Sequence, residues 1–250
     1  MANYLFKKSF QLKTFKPIIY SDLWGKRGTF STIRIVGEKP NYILLQDHIK
    51  NINLSLKKLN INFSLSEKKL SILIFPLLNK MKRYDHLLRV AVNSKIISIS
   101  LRDRLKPIKN FDAILMSYQR SIPSLKNLYY KKILKKLLSI DTQKREIILF
   151  QNNILLEGCT TNIFCIYNKI IYIPKTNFYK GTTMSYLLSK TKRVSKKINI
   201  FIHDLSKFDE ILLVGSGKGV ISLQSINKIS WKPKSNLIYK ELLCLYRKLV

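Results

Sequence analysis

The chain has 250 residues, of which 46% are hydrophobic. This is enough for one large domain or two small ones with their own cores, and it argues against intrinsic disorder. No apolar run reaches the roughly 20 residues of a membrane-spanning helix, and the basic N-terminus lacks the apolar core of a signal peptide.

The formal charge of +32, from 46 basic and 14 acidic residues, indicates either an anionic partner or a biased composition. The basic residues are spread along the chain, and lysine outnumbers arginine, the residue preferred for reading bases. The abundance of Lys, Ile and Asn and the scarcity of Ala are typical of an A/T-rich genome. We therefore attribute the charge to genome composition and keep a basic nucleic-acid-binding protein as a remote alternative.

The cysteines and histidines argue against a metal site. Cys159, Cys165 and Cys244 have no metal-ligand spacing, and the three histidines form no cluster with them. An odd number of cysteines also argues against structural disulfides, so we expect a cytoplasmic protein.

The first part of the chain predicts mixed α and β structure. "TFSTIRIV" alternates like a strand, 46–61 has the spacing of an amphipathic helix, and 66–81 begins with a serine that can cap a second helix. The stretch 86–102 predicts two strands joined by a turn at 93–95. We expect a smaller N-terminal domain at 1–105 and a linker at 106–112.

The remainder, 113–250, predicts a larger domain of short strands. A strand at 112–120 precedes a predicted helix at 123–140, which has Pro123 near its start. Four strands follow, "REIILF", "ILLE", "NIFCIY" and "IIYIP", with "QNN" and "NK" as hairpin turns. A helix from Thr182, the strand "EILLV", the loop "GSGKG" and the strand "VISL" complete an α+β fold with mixed and antiparallel sheets.

Two segments have the composition of anion-binding sites. In "KGTTMSYLL", Thr182 and Thr183 would open a helix, where backbone N–H groups and hydroxyls can face an anion. In "GSGKG", closely spaced glycines after a strand allow successive N–H groups to converge. Taken alone, each segment is more often an ordinary structural element, a capped helix in the first case and a glycine-rich hairpin in the second.

Glu157, in "ILLEGCTTNIF", is an acid at the end of an apolar strand of a chain poor in acids. It either faces solvent at the strand end or pairs with a buried cation.

The segments "LLEGCTTNIFCIYNKIIYIP", "KGTTMSYLL" and "DEILLVGSGKGVISL" resemble, in order and spacing, the fold-type-IV pyridoxal-phosphate (PLP) enzymes, the class IV aminotransferases. "GTFSTIRIVGEKPNYILLQDHIKNINLSLKKL" resembles the N-terminal pattern of this family. The resemblance implies a two-domain fold with mixed and antiparallel sheets, flanking helices and a cofactor cleft between the domains. It also implies a homodimer.

The resemblance implies roles for individual residues. Lys126 matches the lysine that binds PLP covalently, and Glu157 matches the glutamate that pairs with its pyridine nitrogen. Thr182 and Thr183, with Ser216 and Gly217, match the segments that hold its phosphate.

The chain departs from the family pattern at two places. Asn51 stands where the family usually has an arginine that contacts the phosphate, with Lys50 beside it. The residue that commonly follows the catalytic lysine to reach the phenolic oxygen is shifted, which leaves Tyr129 and Tyr130 as alternatives.

The resemblance implies amino transfer between an amino acid, of branched-chain type, and a 2-oxo acid. The alternative within the family is the lyase reaction that converts aminodeoxychorismate into 4-aminobenzoate and pyruvate. The substrate would be a small molecule, and neither a membrane nor nucleic acid is an expected partner.

Overall fold

The computed structural model describes residues 3–78 and 83–250. The chain forms two compact units. Unit 1 contains the chain up to Arg104 together with Leu125–Lys131, and unit 2 contains Leu105–Ser124 and Lys132–Val250. Among the described residues, no helix is long and apolar enough to cross a membrane.

Unit 1 is built on a six-stranded sheet with the order β2-β1-β6-β5-β3-β4, in which all pairs are antiparallel. The strands β6 and β5 are central in this order, and most residues of β3 and β5 are buried. The strand bounds are β1 Tyr4–Gln11, β2 Pro17–Ile18, β3 Gly28–Gly37, β4 Asn41–Tyr42, β5 Tyr84–Asn93 and β6 Ile96–Asp103.

Two helices complete unit 1, α1 at Leu45–Lys58 and α2 at Glu67–Leu78. The apolar face predicted for α1 is buried against the sheet in a core that includes Ile33, Ile52 and Leu56. The strand at "TFSTIRIV", both helices and the hairpin are confirmed, and the last residues of the predicted 66–81 helix, 79–81, lie outside the described residues.

Unit 2 contains two sheets, a five-stranded one with the order β12-β11-β10-β13-β14 and a four-stranded one with the order β15-β7-β8-β9. Both mix parallel and antiparallel pairs, which confirms the predicted fold class. The bounds are β7 Asp112–Ser117, β8 Arg145–Gln151, β9 Ile154–Gly158, β10 Asn162–Tyr167, β11 Ile170–Pro174, β12 Ser195–Ile198, β13 Glu210–Gly215, β14 Gly219–Ser222 and β15 Ser225–Ile226.

The helices of unit 2 are short. Their bounds are α3 Lys131–Leu137, α4 Thr182–Lys190 and α5 Leu237–Arg247, with a 3-10 turn at Ile202–Lys207. The helix predicted from Thr182 is therefore confirmed. The polar turns are confirmed as well, since Asn152, Asn153, Asn168 and Lys169 all have the positive φ that tight hairpins require.

The helix predicted at 123–140 is wrong over its first half, because α3 begins only at Lys131. The backbone groups of 126–128 bond to other parts of unit 1 instead of to a helix. Leu128 N donates to Gly28 O at 3.0 Å, and Leu128 O accepts from Gly25 N at 2.8 Å. The segment that contains Lys126 therefore pairs with β3 and is not helical.

Candidate active site

Lys126, the residue predicted to bind the cofactor, lies in unit 1 on the segment that pairs with β3. Its carbonyl oxygen accepts hydrogen bonds from Phe30 N at 3.0 Å and from Thr29 Oγ1 at 2.9 Å. An isolated bridge between Thr29 and Asn127 fixes the next residue. The backbone below the lysine side chain is thus held by β3, while the side chain itself is half-buried.

An aromatic cluster lies next to this lysine. Trp24 and Phe30 meet edge to face at 4.8 Å between ring centroids, and Tyr130 stacks on Trp24 at 5.6 Å. Lys126 Nζ lies 5.3 Å from the Phe30 centroid. Of the two tyrosines left as alternatives, Tyr130 is buried in this cluster, whereas Tyr129 is exposed.

Arg89 is a second cation against the same rings. Its guanidinium carbon lies 3.7 Å from the Trp24 centroid and 5.5 Å from that of Phe30. One Nη donates to Asp22 O at 2.7 Å, but the buried Nε has no hydrogen-bond acceptor among the described residues. Burial lowers the pKa of Arg89 to about 10, so the group remains charged at neutral pH.

His48, at the start of α1, is buried beside this group. Its Nδ1 lies 2.7 Å from Ser31 Oγ, on the strand that also fixes Lys126. Burial, reinforced by the positive charge of Lys126, lowers the pKa of His48 from 6.5 to about 3. The imidazole is therefore neutral at physiological pH and adds no positive charge near the lysine.

The neutral His48 makes the stability of the protein sensitive to acid. Its folded-state pKa lies below the unfolded value, so its contribution is complete above pH 6.5 and is lost as the pH falls toward 3. Between pH 7 and pH 4.5, the free energy of unfolding should fall by about 2 kcal/mol more in the wild type than in His48→Gln. Urea unfolding at the two pH values measures this difference. Equal losses in the two proteins would show that His48 does not titrate in this way.

Glu157 ends β9 in unit 2, and its carboxylate is paired with a cation that the sequence analysis did not identify. Nε and Nη2 of Arg120 both lie 2.7 Å from Glu157 Oε1. The two side chains are only 4% and 7% exposed. The second oxygen, Oε2, accepts from Tyr179 N at 3.2 Å. The solvated strand end, one of the two interpretations of Glu157, is thus excluded, and the guanidinium stabilises the charged form of the acid.

Three hydroxyl groups converge at the N-terminus of α4. Ser216 Oγ, in the loop between β13 and β14, lies 3.5 Å from Thr182 Oγ1 and 3.4 Å from Thr183 Oγ1. Both threonines are buried, and Gly217 follows in the same loop. The two segments that the sequence analysis treated separately therefore meet at a helix N-terminus, where backbone N–H groups and the helix dipole favour an anion.

A short segment connects Glu157 to these hydroxyls. Tyr179, whose N–H bonds to Glu157, also has its carbonyl bound by Asn162 Nδ2 at 2.5 Å. Asn162 Oδ1 then accepts from Gly181 N at 3.0 Å, and a Cβ on Gly181 would lie only 2.6 Å from that oxygen. Three residues span about 10 Å at most, so only a short length of backbone separates the residue that bonds to Glu157 from the first of the two threonines.

The structure therefore brings four of the predicted site residues together in unit 2, namely Glu157, Thr182, Thr183 and Ser216. Lys126 belongs to unit 1, together with His48 and Arg89. Asn51, at the position where the family usually has arginine, lies in α1, where its carbonyl accepts from Ser55 Oγ at 2.8 Å.

Comparison with known proteins agrees with this geometry. The family model for "Amino-transferase class IV" matches residues 28–226. The aminodeoxychorismate lyase of Bacillus subtilis is 23% identical over an alignment of 264 positions. The alignment covers 93% of this chain and 88% of that protein.

Solved structures share the fold. A branched-chain aminotransferase from Thermoproteus uzoniensis, crystallised with norvaline, matches with a TM-score of 0.80 at 17% identity, over 96% of this chain and 93% of that one. The branched-chain aminotransferase of Escherichia coli matches with a TM-score of 0.74 at 17% identity, over 89% of this chain and 85% of that one.

The family match extends from the first residue of β3 to the last residue of β15, and so includes all the residues predicted to bind the cofactor, namely Lys126, Glu157, Thr182, Thr183, Ser216 and Gly217. The chain therefore belongs to the class IV aminotransferases, a family of PLP-dependent enzymes.

Proposed function

We propose that this protein is a PLP-dependent lyase that converts aminodeoxychorismate into 4-aminobenzoate and pyruvate. The observation that carries the proposal is the relation to the Bacillus subtilis lyase, which extends over nearly the full length of both chains. The aromatic and cationic surroundings of Lys126 add to it, because they suit a ring-bearing, carboxylate-rich substrate.

The residues of unit 2 fit PLP. The buried Glu157 carboxylate suits a protonated pyridine nitrogen, and the three hydroxyls at the α4 N-terminus suit a phosphate. We assign Lys126 as the residue that holds PLP covalently, with Gly217 adding a backbone donor to the phosphate group. When bound, PLP withdraws electrons from the carbon that carries the amino group of the substrate.

The proposed role of Lys126 in turnover is proton transfer. Its amine takes the proton from the substrate carbon that bears the amino group. In the overall reaction, the C–O bond to the enolpyruvyl group breaks, the ring becomes aromatic, and the released enolpyruvate takes up a proton to give pyruvate. The neutral His48 and the aromatic cluster limit the charge and the water around the amine.

Arg89 is the candidate group for binding a substrate carboxylate. Its buried Nε has no acceptor among the described residues. A buried charged donor without an acceptor is costly, and the carboxylate of a ligand can supply the missing acceptor. Arg89 and Lys126 both lie against the Phe30 ring, so a substrate whose carboxylate binds Arg89 can have its amino group near Lys126.

Amino transfer with a branched-chain amino acid remains the second candidate, favoured by the fold similarity to the norvaline-bound aminotransferase. The test is to incubate the PLP-loaded enzyme with aminodeoxychorismate, and separately with leucine and 2-oxoglutarate. We expect 4-aminobenzoate and pyruvate in equal amounts from the first mixture. Glutamate formation from the second, with no 4-aminobenzoate from the first, would overturn the lyase proposal in favour of amino transfer.

The hydroxyl groups are expected to bind the phosphate of PLP and no other part of it. Because Asn51 replaces the usual arginine, Ser216→Ala should raise the Kd for PLP about tenfold, the value of one hydrogen bond to a charged group. Titration of the apo-protein measures this, with pyridoxal, which lacks the phosphate, as the comparison ligand. If the Kd for pyridoxal rises as much as that for PLP, Ser216 does not hold the phosphate.

We also propose that the enzyme is a homodimer, as the sequence resemblance implies, and that it acts in the cytoplasm, as its cysteines indicate. Analytical ultracentrifugation of the purified protein tests the oligomeric state, and a monomer at micromolar concentration would overturn it.

A further inference from the structure

Glu146, on β8, is a completely buried carboxylate outside the set of residues assigned above. Its Oε2 accepts hydrogen bonds from Thr160 Oγ1 and, at 3.4 Å, from Thr161 Oγ1, while its Oε1 accepts from Ile147 N at 3.0 Å. Burial of a carboxylate at this depth is costly unless hydrogen bonds and a cation compensate for it.

The cation is Lys218, whose Nζ lies 3.8 Å from Glu146 Oε2. The same amine donates to Thr142 O at 2.8 Å and lies 4.5 Å from the centroid of Phe111. The side chain is only 10% exposed, and burial lowers the pKa of Lys218, an effect that Glu146 opposes. This lysine therefore points into unit 2 and away from solvent.

The partners of Glu146 lie in two loops that adjoin Glu157 and Ser216, two of the residues proposed to bind the cofactor. Thr160 and Thr161 follow Glu157 in the turn between β9 and β10, and Lys218 lies two residues after Ser216 in the turn between β13 and β14. The turn after β9 also packs against the end of β13, directly before Ser216, since a Cβ on Gly215 would lie 3.1 Å from Thr160 O.

We propose that Glu146 and Lys218 are positioning residues for PLP, and that their buried ion pair fixes the Ser216 loop against the turn that follows Glu157. The inference rests on the proposed assignment of Ser216 and Glu157 to the two ends of PLP. Neither residue of the pair touches the cofactor in this account.

The physical reason is that the Ser216 hydroxyl can bind a phosphate only while its loop is held in one position. The Ser216 loop has only three residues between β13 and β14, and its hydroxyl must stay within hydrogen-bond distance of the groups at the α4 N-terminus. Loss of either charge removes the ion pair that holds the Ser216 loop against Thr160 and Thr161, and a single replacement also leaves the other buried charge uncompensated. The phosphate end of PLP then loses its partner, whereas the pyridine end keeps Glu157.

The experiment compares Lys218→Met, Glu146→Gln and the double variant with the wild type, by titrating each apo-protein with PLP and with pyridoxal. We expect each single variant and the double variant to raise the Kd for PLP by about tenfold and the Kd for pyridoxal by much less. The double variant contains no unpaired buried charge, so it remains informative if a single variant does not fold. Lys218→Arg retains the charge and should recover most of the affinity for PLP.

Glu210→Gln is the matched control. Glu210 is an equally buried carboxylate of unit 2, but it accepts from Ser235 and from the backbone of Ile238 and Tyr239 at the start of α5. Its replacement should lower stability and leave the Kd for PLP unchanged. If the wild type binds PLP and the double variant binds it equally well, the positioning role is wrong while the proposed function stands. If the wild type itself does not bind PLP, the proposed cofactor site is wrong, and the positioning role that rests on it is wrong as well.

Discussion

Replacement of Lys126 by alanine should reduce turnover at least about a thousandfold and abolish the visible absorbance band of the bound cofactor. The amine is assigned both the covalent attachment of PLP and the proton transfer, and a positioned general base alone contributes about 10²–10⁴-fold. The fold should tolerate the change, because β3 holds this segment through the Lys126 backbone and not through its side chain. Absorbance spectra and initial rates of the purified variant measure both effects.

Lys58→Ala is the control for this variant. Lys58 is an exposed lysine at the end of α1 in the same unit, and it makes no contact that the assigned chemistry uses. Its replacement should leave rate and spectrum unchanged. A Lys126→Ala protein that retains the band and more than a tenth of the wild-type rate would remove Lys126 from the mechanism.

Replacement of Glu157 by glutamine should lower activity and stability together. We expect a rate at least about a hundredfold lower, since one preorganised electrostatic contact is worth about 10²–10³. We also expect the free energy of unfolding to fall by about 3–5 kcal/mol, because the buried guanidinium of Arg120 is left without its carboxylate. Steady-state kinetics and urea unfolding measure the two losses.

The double variant Glu157→Gln, Arg120→Met separates the two effects. Removal of both charges should restore stability to within about 2 kcal/mol of the wild type, since a buried ion pair and an apolar pair often have similar stability. Activity should remain low, because the carboxylate is still missing. Recovery of activity together with stability would show that Glu157 acts only as the structural partner of Arg120.

The strands and their turns were predictable because their signals are local. Alternation in "TFSTIRIV" and the asparagines at 152, 153 and 168 determine strand and turn within a few residues of sequence. The helix predicted from Pro123 failed for the opposite reason. Its backbone bonds go to Gly25, Gly28 and Phe30, about a hundred positions earlier in the chain, and no local pattern reports such pairing.

The candidate site was predictable to the extent that the family pattern covers it. Glu157 and the two hydroxyl segments are consecutive motifs, and the structure adds that the hydroxyls converge. Arg120, Glu146 and Lys218 were missed because in a chain with 46 basic residues no single cation stands out. A buried acid needs a cation beside it, so Glu157 could have indicated that a basic partner exists. It could not have indicated that the partner is Arg120.

The central proposal is that Lys126 and Glu157 both bind PLP. Its most direct test is to reconstitute the wild-type protein with PLP, reduce it with borohydride and locate the pyridoxyl group by peptide mass spectrometry, in parallel with Glu157→Gln. We expect the label on Lys126 in the wild type, and a strongly reduced yield of that label in the variant under limiting PLP. A label on another lysine, or equal labelling of Lys126 in both proteins, would contradict the claim.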